Sequence, residues 1–260
     1  MVCPICNAEN SHLAVICTSC GSFIQSKVDN LDLFATVWQL LESPKSAFRR
    51  IAIAEHKNYT VFLSAMMGIG LAFLLMWLLK IGNGDIPLLN ILIVGFVFGP
   101  FIGISSLLIL TFVQKIVAGF LQLKAKFRNT RAIVAYAAVP IVFSVIIILP
   151  IEILTFGKYF FSSNPSPYVI KPFSYTVLLT LDGFCIVWSL ALYFLGTKVL
   201  YNCGPTVAFL VSTVSITVYA GLIWIFVSTI FSRQIEFPIG NTRVIGLTPI
   251  PAGHCGLWTG

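Results

Sequence analysis

Residues 88–121 read LLNILIVGFVFGPFIGISSLLILTFVQKIVAGFL, and whether they cross a bilayer once or twice decides the fold. A helix needs about 20 apolar residues to cross roughly 30 Å of hydrocarbon. This stretch is long for one crossing and marginal for two. Gly99-Pro100 at its middle fits either a hairpin or a kink, because proline removes a helical donor and crowds the preceding turn. Two crossings would reverse the sidedness of everything downstream.

Outward from it lie four more apolar runs: Thr60 to Leu79, Ala132 to Phe156 with Pro140 and Pro150 inside, Phe173 to Leu200, and Val207 to Phe231. Hydrophobic residues make up 58% of the chain and charged residues 10%, against about 25% charged in soluble domains. That is too little polarity to cover a water-facing surface. The short alternating segments of a membrane β-barrel are missing. The class is an all-α integral membrane protein. The chain opens on cysteines rather than on a basic segment and a short apolar core, so the first span is expected to drive insertion.

Charge decides between one crossing and two. If residues 88–121 cross once, one side of the membrane holds Lys27, Lys45, Arg49, Arg50, Lys57, Lys115, Lys124, Lys126, Arg128, Arg131 and Lys198, eleven of the sixteen Lys and Arg residues. Lys80, Lys158, Lys171, Arg233 and Arg243 fall on the other. Cytoplasmic loops carry the excess of Lys and Arg, so the first group belongs in the cytosol. A second crossing would push the LKAKFRNTR loop outside, against that rule. The expected architecture is a five-helix transmembrane bundle, N-terminus cytosolic and C-terminus outside.

The first twenty residues differ from all of this. Cys3-x-x-Cys6 and Cys17-x-x-Cys20 are separated by ten residues, and each turn aims two thiolates at one tetrahedral ion. Gly21 permits the tight turn after the second pair. Ile5, Val15, Ile16 and Phe23 are the only core on offer, so metal must supply the folding free energy, on the order of 10 kcal/mol. The expected cofactor is a structural zinc in a small four-cysteine zinc ribbon. A redox pair would require an oxidising compartment. His12 reads as a loop residue, since four thiolates already fill the site. No Lys or Arg precedes Lys27, so nucleic acid is not an expected partner; a protein is.

Between ribbon and bundle, Leu33, Phe34, Val37, Trp38, Leu40 and Leu41 recur at helical spacing, with Asp29 and Asn30 as available caps. Ser43-Pro44 ends this helix and starts another. The second carries Phe48, Ile51 and Ile53 beside Lys45, Arg49, Arg50 and Lys57. Such a basic amphipathic helix either lies in the headgroup layer or packs on the cytosolic end of the bundle. The domain boundaries are therefore 1–26 for the ribbon, 27–58 for the amphipathic segment, 59–232 for the membrane domain and 233–260 for an outer tail.

The stretches SPKSAFRRI (43–51), KFRNTRAIVAYAAVPIVF (126–143), LDGFCIVWSLALYFLG (181–196) and YNCGPTVAF (201–209), in that order, resemble the YIP family of Ypt/Rab-interacting proteins. The resemblance covers roughly Trp38 to Phe231. It implies five spans and a cytosolic N-terminus, and the eukaryotic relatives are linked to vesicle traffic and prenylated small GTPases. The added ribbon resembles a bacterial member, which implies the cytoplasmic (inner) membrane.

Among residues able to carry chemistry, Asp182 stands out, about a third of the way into the fourth span. A buried acid costs a few kcal/mol and faces the bundle interior. It reads as a proton or cation site, or as an interhelical hydrogen bond to Thr, Ser or Tyr that fixes packing. No second acid or base is expected at its depth, since Glu152 lies near the outer end of the third span. Gly68, Gly70, Gly95, Gly99, Gly103, Gly196 and Gly221 permit close helix approach, with three of them four apart in GFVFGPFIG. Lys45, Arg49, Arg50, Lys124, Lys126, Arg128 and Arg131 form the basic membrane-surface set. Cys185 and Cys203 read as small apolar residues, the second also as a lipidation candidate. His254, Cys255 and Trp258 in the tail read as a dock on a partner, or as metal or pigment ligands.

No nucleophile–base pair or phosphate-binding glycine loop is present in the sequence. The expected function is a non-enzymatic multi-pass scaffold or adaptor whose ribbon contacts protein partners. The alternatives are a small permease or ion-coupled transporter using Asp182, and an accessory subunit of a larger membrane complex. A homo-oligomer fits any of them.

Overall fold

The computed structural model describes residues 1–11, 13–25 and 30–235. His12, Lys27, Asp29, Arg243, His254, Cys255 and Trp258 lie outside the described residues, as does nearly all of the tail 233–260. Met1–Ala220 form one compact unit, and Gly221–Gly260 a second that takes in the end of the last helix.

Among the described residues ten α-helices follow the ribbon: α1 Leu33–Glu42, α2 Pro44–Ile53, α3 Thr60–Leu78, α4 Leu88–Phe120, α5 Phe127–Ala137, α6 Val139–Phe143, α7 Leu149–Phe156, α8 Pro167–Ile170, α9 Pro172–Tyr201 and α10 Pro205–Ile235. Five segments of the described residues are long and apolar enough to cross a bilayer: Thr60–Leu78, Leu88–Phe120, Val139–Phe161, Pro172–Tyr201 and Pro205–Thr229. Residues 88–120 are a single helix that runs through Pro100. At about 1.5 Å per residue it is roughly 50 Å long, so it overreaches the hydrocarbon layer.

The third span departs from its expected start. Ala132 belongs not to the span but to α5, which ends at Ala137. Pro140 causes the break: it lacks the N–H that the Tyr136 carbonyl would accept, and its ring collides with that carbonyl. It sits instead in the first turn of α6. The same device recurs at Pro150, in the first turn of α7, where a π-helical turn, Ser144–Ile148, intervenes. A 3-10 turn, Gly157–Phe161, carries the span beyond Phe156.

The short helix α5 is central. Ala132, Ile133, Ala135 and Tyr136 are wholly buried, enclosed by α2, α3, α4 and α9. It leads a core with Phe48 and Ile51 of α2, Leu63 of α3, Leu192 and Leu200 of α9, and Val211 of α10. A second core gathers Ile69 and Phe73 of α3, Ile91 of α4, Phe156, Phe160 and Phe161, and Leu178 of α9.

Glycine sets the α3–α4 contact. A Cβ on Gly68 would fall on the Gly99 carbonyl and the Gly103 amide, and one on Gly103 on the Ser64 carbonyl. Helices can approach this closely only without side chains at the crossing. Gly196 serves α9 similarly, since its Cβ would lie 2.5 Å from Ile133 and 3.2 Å from the Phe48 ring. Gly221 meets nothing within 4 Å. Polar ties supplement the seams. Gln114 of α4 donates to Thr197 of α9 at 3.0 Å, and Asn83 clamps Ser162 and Ser163 across two loops at 2.8 Å.

The cap of α1 is not Asn30 but Asp32, whose carboxylate accepts from the Ala35 amide at 3.3 Å. Of the two readings of α2, packing on protein is the one the contacts support: Ala47, Phe48, Ile51 and Ala52 are buried. Lys57 then folds back, its Nζ donating to the Ile51, Ala52 and Ala54 carbonyls at the helix end. Phe34, Trp38 and Leu41, by contrast, form an exposed stripe on α1.

Candidate functional site

Two constellations carry chemistry. In the first, Cys3, Cys6, Cys17 and Cys20 converge with all four sulfurs within 4.8 Å of one another. Two near-equivalent turns build it. Asn7 donates to the Cys3 carbonyl at 3.0 Å and Gly21 to the Cys17 carbonyl at 3.1 Å, with positive φ at both Asn7 (55°) and Gly21 (70°). Each turn closes on an isolated bridge, Val2 with Glu9 and Ile16 with Phe23.

The surroundings favour thiolate. The Ser22 hydroxyl lies 3.3 Å from Cys3 Sγ and 3.0 Å from Cys20 Sγ. The Ser19 amide and Asn10 Nδ2 both donate to Cys17 Sγ at 3.4 Å. The Ser22 hydroxyl, followed by backbone amides, draws the Cys3 thiol down to about 6. The amides of Cys20 and Ser19 lower that of Cys17. Cys6, although the Ala8 amide favours its thiolate, is pushed up to about 12 beside the sulfurs of Cys20 and Cys17. Four sulfurs so close cannot all ionise without a cation among them, and four thiolates are a donor set for a soft or borderline metal ion. Sulfur separations of 3.7 Å (Cys3 to Cys20) and 3.5 Å (Cys6 to Cys17) match the edge of a tetrahedron with metal–sulfur bonds of about 2.3 Å.

The expected apolar core of this module is not a core. Ile5 is 73% exposed, Phe23 65% and Ile16 50%, whereas Cys3 and Cys17 are the buried pair. With so few residues, the thiols themselves occupy the interior.

The second constellation lies in the membrane. Asp182 of α9 accepts a hydrogen bond from Ser144, in the π-helical turn of the third span. The Glu152 carboxyl of α7 is a close neighbour of that of Asp182. A second acid therefore does share its depth, contrary to expectation. The span runs on to Phe161, so Glu152 lies nine residues before its C-terminal end while Asp182 lies ten after the start of α9. Glu152 is 2% exposed, not interfacial. Two carboxylates sharing one apolar space repel each other. Both groups line a cavity of about 450 Å³ whose other walls include Gly70, Trp77, Phe160 and Cys185. Serine and the two acids are nearly its whole polar equipment, so it can hold a proton or a cationic group in an apolar shell.

The basic residues disperse. Lys45, Arg49 and Lys198 line one cavity at the C-terminal end of α9. Arg50, Lys124 and Lys126 are exposed or half-buried at the surface. Arg128 donates to the Glu55 carbonyl, and Arg131 is half-buried. Cys203 is half-buried against the α5 core.

Together these features define a multi-pass α-helical membrane protein with an N-terminal four-cysteine module. The chain matches the Yip1 domain over residues 38–227 and belongs to that family; the ribbon lies outside the match. Neither a protein of curated function nor a solved structure matches the chain.

Proposed function

We propose that this protein is a non-enzymatic membrane scaffold whose ribbon, folded around zinc in the cytosol, presents an apolar face to a protein partner. The observation that carries the reading is the exposure of Ile5 and Phe23 on a module that is held against the membrane domain. Leu13 packs on the α5 core, and Gln25 accepts from Arg49 at 3.3 Å. A tethered apolar surface of this kind is costly to leave in water unless something covers it. Zinc is the metal that four thiolates at tetrahedral spacing favour in a reducing compartment. The asymmetry of Lys and Arg supports a cytosolic N-terminus and an outer C-terminus, and a ribbon-bearing member fits a bacterial cytoplasmic membrane.

The test compares the wild-type protein with an Ile5→Ser/Phe23→Ser variant after native co-purification. Both should carry one zinc per chain, and the variant should recover the wild-type partner at least about tenfold less. Equal recovery would remove the adaptor role.

The Glu152–Asp182 pair supports a second reading, a small proton-coupled permease. Reconstituted vesicles under an imposed pH gradient should then show a flux that disappears in Asp182→Asn; no flux under any gradient sinks it.

A further inference from the structure

The cavity at the cytosolic end of α9 holds about 350 Å³ between the ribbon and the membrane domain. Lys45 and Arg49 of α2 line it together with Lys198 of α9, and among the described residues of its wall there is no carboxylate. Three cations around one space repel one another, and the hydrogen bond available to Arg49 is to the neutral Gln25 amide oxygen. Lys45 lies in the first turn of α2, at the positive end of the helix dipole, where a cation is disfavoured. Lys198 is in the last turn of α9, where the helix dipole favours a cation, but for Lys45 and Arg49 no carboxylate partner is present among the described residues of the wall. An anion would balance them.

The rest of the wall says which anion. Leu195 and Val199, one turn apart on α9, lie beside Lys198, so an apolar strip leads from the cations back along the span. Leu13 of the ribbon closes the opposite side. A charged end over an apolar strip suits a phosphate that carries an acyl chain, and basic pockets at the cytosolic ends of membrane helices bind anionic headgroups. Arginine adds bidentate recognition of phosphate oxygens. We infer that the cavity bounded by Lys45, Arg49 and Lys198 binds the phosphate of an anionic phospholipid, and that the bound lipid ties the ribbon to α2 and α9. The only element taken from the proposed function is that this face is cytosolic.

The experiment uses the full chain in a neutral detergent, where sidedness plays no part, so its outcome is independent of partner recovery. The probes are dioctanoyl phosphatidylglycerol, dioctanoyl phosphatidylcholine and glycerol 3-phosphate, with binding followed by the shift in thermal unfolding. Saturable binding of the phosphatidylglycerol is expected, weakened about tenfold or more in Arg49→Gln/Lys198→Gln and unchanged in Lys124→Gln/Lys126→Gln, whose side chains lie outside the cavity. Arg49 is exposed and Lys198 half-buried, so their loss leaves the core intact; elution volume and metal content confirm it for each variant. Equal affinity for glycerol 3-phosphate would assign the site to a soluble phosphate and overturn the lipid. Undiminished binding by the cavity variant, or equal binding of the phosphatidylcholine, would overturn the site itself.

Discussion

In the ribbon, the two buried side chains among the described residues are thiols, Cys3 and Cys17; at the tightest contact of the membrane domain, Gly68 against Gly99 and Gly103, there are no side chains at all. Neither region relies mainly on burying hydrocarbon away from water. The ribbon is too small to have a sufficient core, and lipid is as apolar as leucine, so it gives spans no solvophobic reason to associate. One region offers four thiols that could hold a metal ion, the other close backbone approach. Apolar exposure consequently has two meanings in one chain. On Phe101 and Leu154 it marks the lipid face, and on Phe23 it marks a surface that water would otherwise cover.

The sharpest way to separate the two regions is to remove the metal. Chelation, or Cys3→Ser/Cys17→Ser, takes away on the order of 10 kcal/mol of folding free energy from the ribbon. Residues 1–25 should become protease-sensitive while helical circular dichroism changes little. The converse variant is Gly103→Leu, whose side chain must displace the Ser64 carbonyl; it should cost about 3 kcal/mol, seen as a lower thermal midpoint with metal content unchanged. Gly183→Leu, where nothing lies within 4 Å, should leave both regions as they were.

Smaller effects refine the membrane side. Glu152→Ala strips Asp182 of a close neighbour and should cost about 2 kcal/mol, whereas Glu152→Gln, which can donate to Asp182, should cost less than half of that. Lys57 provides the smallest signal. Burial, and then the nearby Arg128 charge, hold its ammonium at about 8, below the ordinary 10.5. Between those values the unfolded chain keeps a proton that the folded chain has released, so stability should rise as pH climbs from about 8 to about 10.5. A Lys57→Met variant should lose that rise in a pH series of thermal midpoints.

The spans were legible because crossing a bilayer demands sheer apolar length, and the cysteine spacing was legible because metal geometry demands it. Pairing across helices was not. Whether Glu152 reaches Asp182 depends on the rotation of one span about its axis and on where that span ends. Moving the end from Phe156 to Phe161 turned an interfacial acid into one at matching depth. The break before α6 did carry a signal, Pro140, but an apolar run on both sides of it, AIVAYAAVPIVF, concealed a helix change inside what reads as one span. The outward-facing Ile5 and Phe23 were hidden for a different reason: scattered apolar residues imply a core only where a chain is long enough to enclose one.

The glycine seam joins neighbours in sequence, with only residues 79–87 between α3 and α4. During biosynthesis this hairpin can therefore lock as soon as residue 120 clears the insertion machinery, ahead of every later segment. The segment that emerges next, α5, is buried over residues 132–137 in the finished protein and packs against α9. A nascent chain arrested near residue 150 would hold a closed hairpin beside an α5 that α9 does not yet cover.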